Sequence, residues 1–202
     1  MEADPPLPWP IPGAQDLRRR LLDAYGEPGR WYHDQRHLAE VLARIDELRE
    51  AGERFDYAAV VLAAWFHDAV YDGADDAEER SARWAEQELT EAGAPPDLIA
   101  EVARLVRMTA HHAPDSGDLN AAALSDADLA ILAADETRYA EYVTAVRAEY
   151  ATVPDTDFRR GRLAILDALA RKPHLFETSH ARSQWEAAAR ANLAQERRAL
   201  AP

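Results

Sequence analysis

The chain has 202 residues, 48% of them hydrophobic, enough for one globular domain with a substantial core. It contains no cysteine, which excludes disulfides, thiolate zinc sites, iron–sulfur clusters and a cysteine nucleophile, so any metal must rest on His, Asp or Glu. A formal net charge of −14 argues against a protein whose main task is gripping nucleic-acid phosphates.

In chain order, residues 1–13 are acidic and proline-rich and are expected to be extended. They lack the basic and apolar regions of a signal peptide, and no stretch approaches the roughly 20 apolar residues of a membrane span. The expected setting is therefore cytoplasmic, away from membranes. Residues 14–202 are expected to form one all-α domain, because alanine is abundant and no segment alternates polar and apolar over a strand length. A first helix runs from Asp16 to Tyr25 and stops at Gly26. Asp34 suits the N-cap of a second, which reaches about Ala51 with Leu38, Val41, Leu42, Ile45 and Leu48 at helical spacing. A third, from Asp56 to Val70, is apolar nearly all round and is expected to be central. Further helices are expected over residues 77–92, 95–111, 121–133, 136–152, 158–171 and 181–200.

Few polar residues stand in apolar or helix-end positions: His33, His37, His67, Asp68, His111, His112, Asp126 and Asp128. His67 and Asp68 close the apolar run of the third helix, and a buried carboxylate beside an imidazole calls for a partner. A divalent cation between the two would be one. Neighbouring helical side chains point about 100° apart, so both reach one ion only if it lies between their directions. His37 stands 30 residues before His67, and Asp128 stands 60 after Asp68. Together they would make a His-His-Asp-Asp site on three helices, as metal sites in bundles are built. His174 and His180 read as surface residues.

These motifs, in this order, resemble the HD superfamily of metal-dependent phosphohydrolases, an all-helical family with the pattern H…HD…D. The matching stretches are Arg30-Trp31-Tyr32-His33-Asp34-Gln35-Arg36-His37, residues 64–72 around His67-Asp68, residues 78–82, Thr109-Ala110-His111 and residues 124–132, with residues 147–150 and 158–162 extending them. The resemblance implies a helical bundle of HD type and a divalent metal, Mn, Co, Ni, Fe, Mg or Zn, on His37, His67, Asp68 and Asp128. His33 competes with His37, although the apolar helical pattern follows His37. Asp126 competes with Asp128, although Asp128 aligns better with the family's final motif.

The resemblance further implies hydrolysis of a small phosphate ester or anhydride, a nucleotide among the options, by metal-activated water. Asp68 or Glu78 would orient the water, with Glu79 an alternative to Glu78, and Arg30 and His111 would neutralise phosphoryl charge. Tyr32 would line the pocket, and His112 would face solvent. The chain departs from the family branch at Ala77, where an asparagine usually precedes the glutamate. Two other readings of the fold stay open. One is a di-iron oxygenase that draws on His111 or His112; the other is a nucleotide-sensing module without turnover. The charged helix from Trp185 to Arg198 is expected either to pack on a second copy of the chain or to cap the bundle.

Overall fold

The computed structural model describes residues 7–201. These form ten α-helices and no strand: α1 (Gln15–Tyr25), α2 (Gln35–Glu50), α3 (Tyr57–Phe66), α4 (Ala77–Glu91), α5 (Pro96–Met108), α6 (Leu119–Leu129), α7 (Glu136–Glu149), α8 (Asp155–Arg171), α9 (Ser179–Gln184) and α10 (Glu186–Leu200). A 3-10 turn at Ala130–Ala133 joins α6 to α7. Among the described residues, no helix is long and apolar enough to cross a membrane.

Helix α3 is the hub, packed by α2, α4, α5 and α6. Every residue from Ala59 to Phe66 is buried, which is why this helix shows no polar face. Its partners are amphipathic. The stripe Leu38, Val41, Leu42, Ile45 and Leu48 of α2 faces the core, and each such large side chain contributes roughly 1.5–3 kcal/mol on burial. Helices α4 and α5 pair as a hairpin, while α10 closes the far side against α8 and the 3-10 turn. Of the extended N-terminal segment, Met1 to Pro6 lie outside the described residues. From Leu7 onward it runs without helix along α3: the Trp65 indole donates to the Pro8 carbonyl at 2.8 Å, and Trp9 meets Trp65 edge-on at 5.1 Å.

Several helix ends differ from the sequence expectation by two to four residues, and three of the differences have a clear local reason. Helix α3 stops at Phe66 rather than Val70, because side chains take over the backbone groups of the next turn. Tyr25 Oη accepts from Asp68 N, Ser81 Oγ accepts from Val70 N, and Arg30 donates to the carbonyls of Asp68 and Ala69. Helix α5 stops at Met108 rather than His111. Thr109 Oγ1 folds back on the Val106 carbonyl, and His112 adopts a positive φ of 45°. The last helix is two, α9 and α10, hinged at Trp185. That residue is buried against Phe176 and donates its indole N–H to Glu47.

Candidate metal centre

The side chains of three separated segments meet at the ends of α2, α3 and α6. Asp34 caps α2 by accepting from the backbone N–H of Arg36 and His37 at 2.9 and 3.1 Å, and this places His37 in the first turn, pointing inward. The α3 stop puts His67 at the C-cap and Asp68 in the turn beyond. Asp128 stands in the last turn of α6.

His37 Nε2 lies 3.1 Å from His67 Nε2, 3.2 Å from Asp128 Oδ1 and 3.4 Å from Asp68 Oδ2. His67 Nε2 lies 3.1 Å from Asp68 Oδ2 and 3.6 Å from Asp128 Oδ1. Donor atoms bound to one ion at 2.0–2.2 Å, between octahedral and tetrahedral angles, stand about 2.8–3.6 Å apart, so all five separations suit a shared cation. His37, His67 and Asp128 form a group able to hold a metal ion; Asp68 Oδ2 lies beside the two histidines, outside that group of three. The histidines are closed off, at 2% and 1% side-chain exposure, while Asp68 and Asp128 keep 17% and 14%. The carboxylates therefore mark the open side.

Supporting contacts orient the ligand atoms. His67 Nδ1 donates to the Ala64 carbonyl at 2.7 Å, which turns its Nε2 lone pair toward the centre. Tyr25 Oη stands 3.3 Å from the same Nδ1. Without a cation the cluster is held by protons. Burial opposes the imidazolium of His37, but hydrogen bonds to Asp128 and Asp68 outweigh it and raise its pKa to about 9. His67 is likewise raised: burial opposes the charge, and the nearby Asp68 overcomes it. Burial pushes Asp68 and Asp128 up, yet the facing histidines carry both well below the usual carboxylate range. Imidazoles drawn toward the charged form beside carboxylates drawn the same way make a site whose protons a cation would displace.

The other residues singled out in the sequence fall as follows. His33 is beside the centre, not in it. Its Nδ1 bonds Glu149 Oε2 at 2.8 Å, its ring stacks on Tyr71 at 4.1 Å, and its nearness lowers the Asp68 pKa. Asp126 is fully buried and turned away, accepting from the backbone N–H of Glu177 and Thr178 at 2.8 and 2.7 Å. It ties α6 to the approach of α9, and burial raises its pKa to about 6.

Arg30, expected at the phosphoryl group, is instead a brace. Its guanidinium binds the carbonyls of His33, Asp68 and Ala69 at 3.2, 2.6 and 2.9 Å, between the faces of Tyr25 and Tyr71. Glu78 lies half-buried in the first turn of α4 and makes no ion pair or hydrogen bond among the described residues. Glu79 is turned outward, bound to Arg107 and Arg83. Tyr32 packs on His37 at 4.8 Å between ring centres.

The two neighbouring histidines exchange the places expected of them. His111 is exposed. His112 turns inward, with Nε2 3.3 Å from Asp128 Oδ2 and Nδ1 3.2 Å from Ser125 Oγ. The helix ends one turn sooner than the pattern suggests, and the left-handed backbone at His112 reverses which side chain faces the centre.

Two residues near the centre were given no role in the sequence, although one of them, Glu149, lies in the matched stretch 147–150. Lys172, the only lysine in the chain, donates to the His112 carbonyl at 2.9 Å and has no carboxylate partner among the described residues. Its singularity was a readable signal. Glu149 is the other. One oxygen accepts from the consecutive backbone N–H groups of Trp31, Tyr32 and His33 at 2.8–2.9 Å, and the other takes His33 and the Tyr71 hydroxyl. Burial pushes its pKa up, but the His33 bond and these donors bring it down to about 2.

Fold and site thus define an all-helical protein with a buried His/His/Asp cluster able to hold a metal ion. No known family model matches the chain, and neither a curated protein nor a solved structure matches it.

Proposed function

We propose that the protein is a metal-dependent phosphohydrolase of HD type, with one divalent cation on His37, His67, Asp68 and Asp128. The observation that supports this reading is the meeting of His37, His67 and Asp128, from three separated segments, in a group able to hold a metal ion, with Asp68 beside both histidines. The order of the sequence motifs that resemble the HD superfamily supports it. The hard oxygen and imidazole donors suit Mn, Fe, Co, Ni, Zn or Mg.

A cation at this position supplies an acidified water and a Lewis acid for a phosphoryl oxygen. The chain's own groups divide the remaining work. Asp68 presents one oxygen to the histidines and keeps the other for the attacking water, orienting it and accepting its proton. His112 holds Asp128 through Nε2, and Lys172 braces the His112 carbonyl behind it, so the pair orients the Asp128 carboxylate. Arg30 and Tyr25 act on the backbone of the His67–Asp68 turn and hold Asp68 in place. The substrate is a small phosphate ester or anhydride.

The test is metal analysis of the purified protein together with phosphate release from a panel of esters and nucleotides. About one equivalent of metal, lost in Asp128→Ala, with phosphate release that depends on it, is the expected result. Metal that survives in both Asp68→Ala and Asp128→Ala, or a fully loaded protein that releases no phosphate, would refute it.

A further inference from the structure

His37 and Asp128 line one cavity; a second is lined by His33, the neighbour of His37, and by none of the four proposed ligands. It is a groove of about 360 Å³ between the end of α7 and the face of α8, lined by His33, Tyr142, Val146, Tyr150, Phe158 and Ile165 among others. Its size falls at the small end of ligand pockets, which span about 300–1,000 Å³. At its inner end His33 belongs to both places: it lines the groove, and its ring stands 5.6 Å from that of His37. Tyr142 makes the same junction through Tyr32, which packs on His37.

Three features show a groove kept open for an apolar guest. Tyr150 and Ile165 are 44% and 54% exposed, two of the four large hydrophobic side chains left in solvent among the described residues. Exposed apolar surface gathered at one cavity marks a binding site more often than chance packing. Gly161 lines the groove from the interior of α8, where glycine is among the poorest helix formers. A Cβ there would meet nothing within 4 Å, so no neighbour requires the glycine, and its absent side chain leaves volume in the groove. Finally, the charges are already matched. Arg162 is held by the buried Glu196 at 2.7 Å, and Asp157 at the rim by Arg160. No cation is left in the groove for further phosphates.

We infer that this groove receives the organic part of the substrate, and that the substrate is a phosphomonoester of an aromatic or otherwise apolar alcohol. The phosphoryl end of this assignment rests on the phosphohydrolase reading; the apolar end does not. His33 lies where the ester oxygen passes from centre to groove. Its Nδ1 donates to Glu149, which fixes the ring at that passage.

The test compares the full-length protein with Gly161→Phe, each loaded with manganese and, in parallel, with zinc. Calorimetry measures binding of 1-naphthylmethylphosphonate and methylphosphonate. The wild type should favour the naphthyl compound by about tenfold or more, the scale of a ring moved from water into an apolar pocket. Gly161→Phe should erase that margin while methylphosphonate affinity, metal content and helix content stay unchanged. Ile165→Glu, on the exposed rim, should reduce it in the same way. Equal affinity for the two compounds in the wild type, no binding of either, or a margin that survives both substitutions would overturn the assignment. So would a preference for a nucleoside triphosphate over 1-naphthyl phosphate. A margin that follows Gly161 while neither 1-naphthyl phosphate nor methyl phosphate is hydrolysed would leave the groove standing and sink the hydrolase reading alone.

Discussion

Removing the metal and raising the pH should loosen the protein in a window set by His37. In the metal-free fold this imidazole binds its proton with a pKa of about 9, against 6.5 for an unperturbed histidine. A folded-state pKa above the unfolded one means that the proton favours the folded chain. That stabilisation is complete below about pH 6.5 and disappears as the pH passes 9. At 1.36 kcal/mol per tenfold change in proton affinity it amounts to roughly 3 kcal/mol. His67 is shifted in the same direction, while Asp68 and Asp128, held well below the usual range, stay ionised throughout and add no slope. For a chain of this size the loss corresponds to a fall in the unfolding midpoint of roughly 6–12 °C. A bound cation takes the place of the protons, so saturating manganese or zinc should flatten the decline, and metal affinity should rise with pH. Thermal unfolding from pH 6 to 9.5, with chelator and with metal, measures both curves. A metal-free midpoint that is flat from pH 6.5 to 9, or a decline unchanged in His37→Gln, would refute the reasoning.

Other substitutions probe the supports. Arg30→Met removes three hydrogen bonds to backbone carbonyls while keeping the length of the stem; it should weaken metal binding about tenfold or more, the scale of losing a group that orients ligands, seen by competition with a chelating dye. Glu149→Ala strands three backbone N–H groups, His33 and Tyr71, and should cost roughly 2–4 kcal/mol in urea unfolding, since each unsatisfied buried donor is expensive. Glu196→Leu leaves the Arg162 guanidinium buried without its carboxylate and should cost roughly 3–5 kcal/mol by the same assay. Gly161→Ala should raise stability by about 0.5–1 kcal/mol, because the helix gains a better former and the new methyl meets open space; a loss would mean that the groove wall is already packed.

The helical architecture was legible because its signals are periodic. The stripe from Leu38 to Leu48 and the all-apolar run of α3 follow from spacing alone, and both fall where expected. What periodicity does not report is where a helix is cut short by side chains from elsewhere. Arg30, Tyr25 and Ser81 end α3 four residues early, and none of them is local to that helix. The same limit governs His111 and His112: which one faces the centre depends on the sign of one φ angle, fixed by tertiary packing. The gathering of His37, His67, Asp68 and Asp128 was readable from motif order, but the groove beside them was not. It is made by α7 and α8, whose exposed Tyr150 and Ile165 look in sequence like ordinary interrupted amphipathic faces.

The three ligand-bearing segments are brought together by tertiary packing, across 30 residues between His37 and His67 and 60 between Asp68 and Asp128. No short fragment of the chain carries the site, and no local turn can mimic it. A bound ion would therefore serve as a gauge of tertiary order: it should leave in step with global unfolding, in the same transition as the helix content.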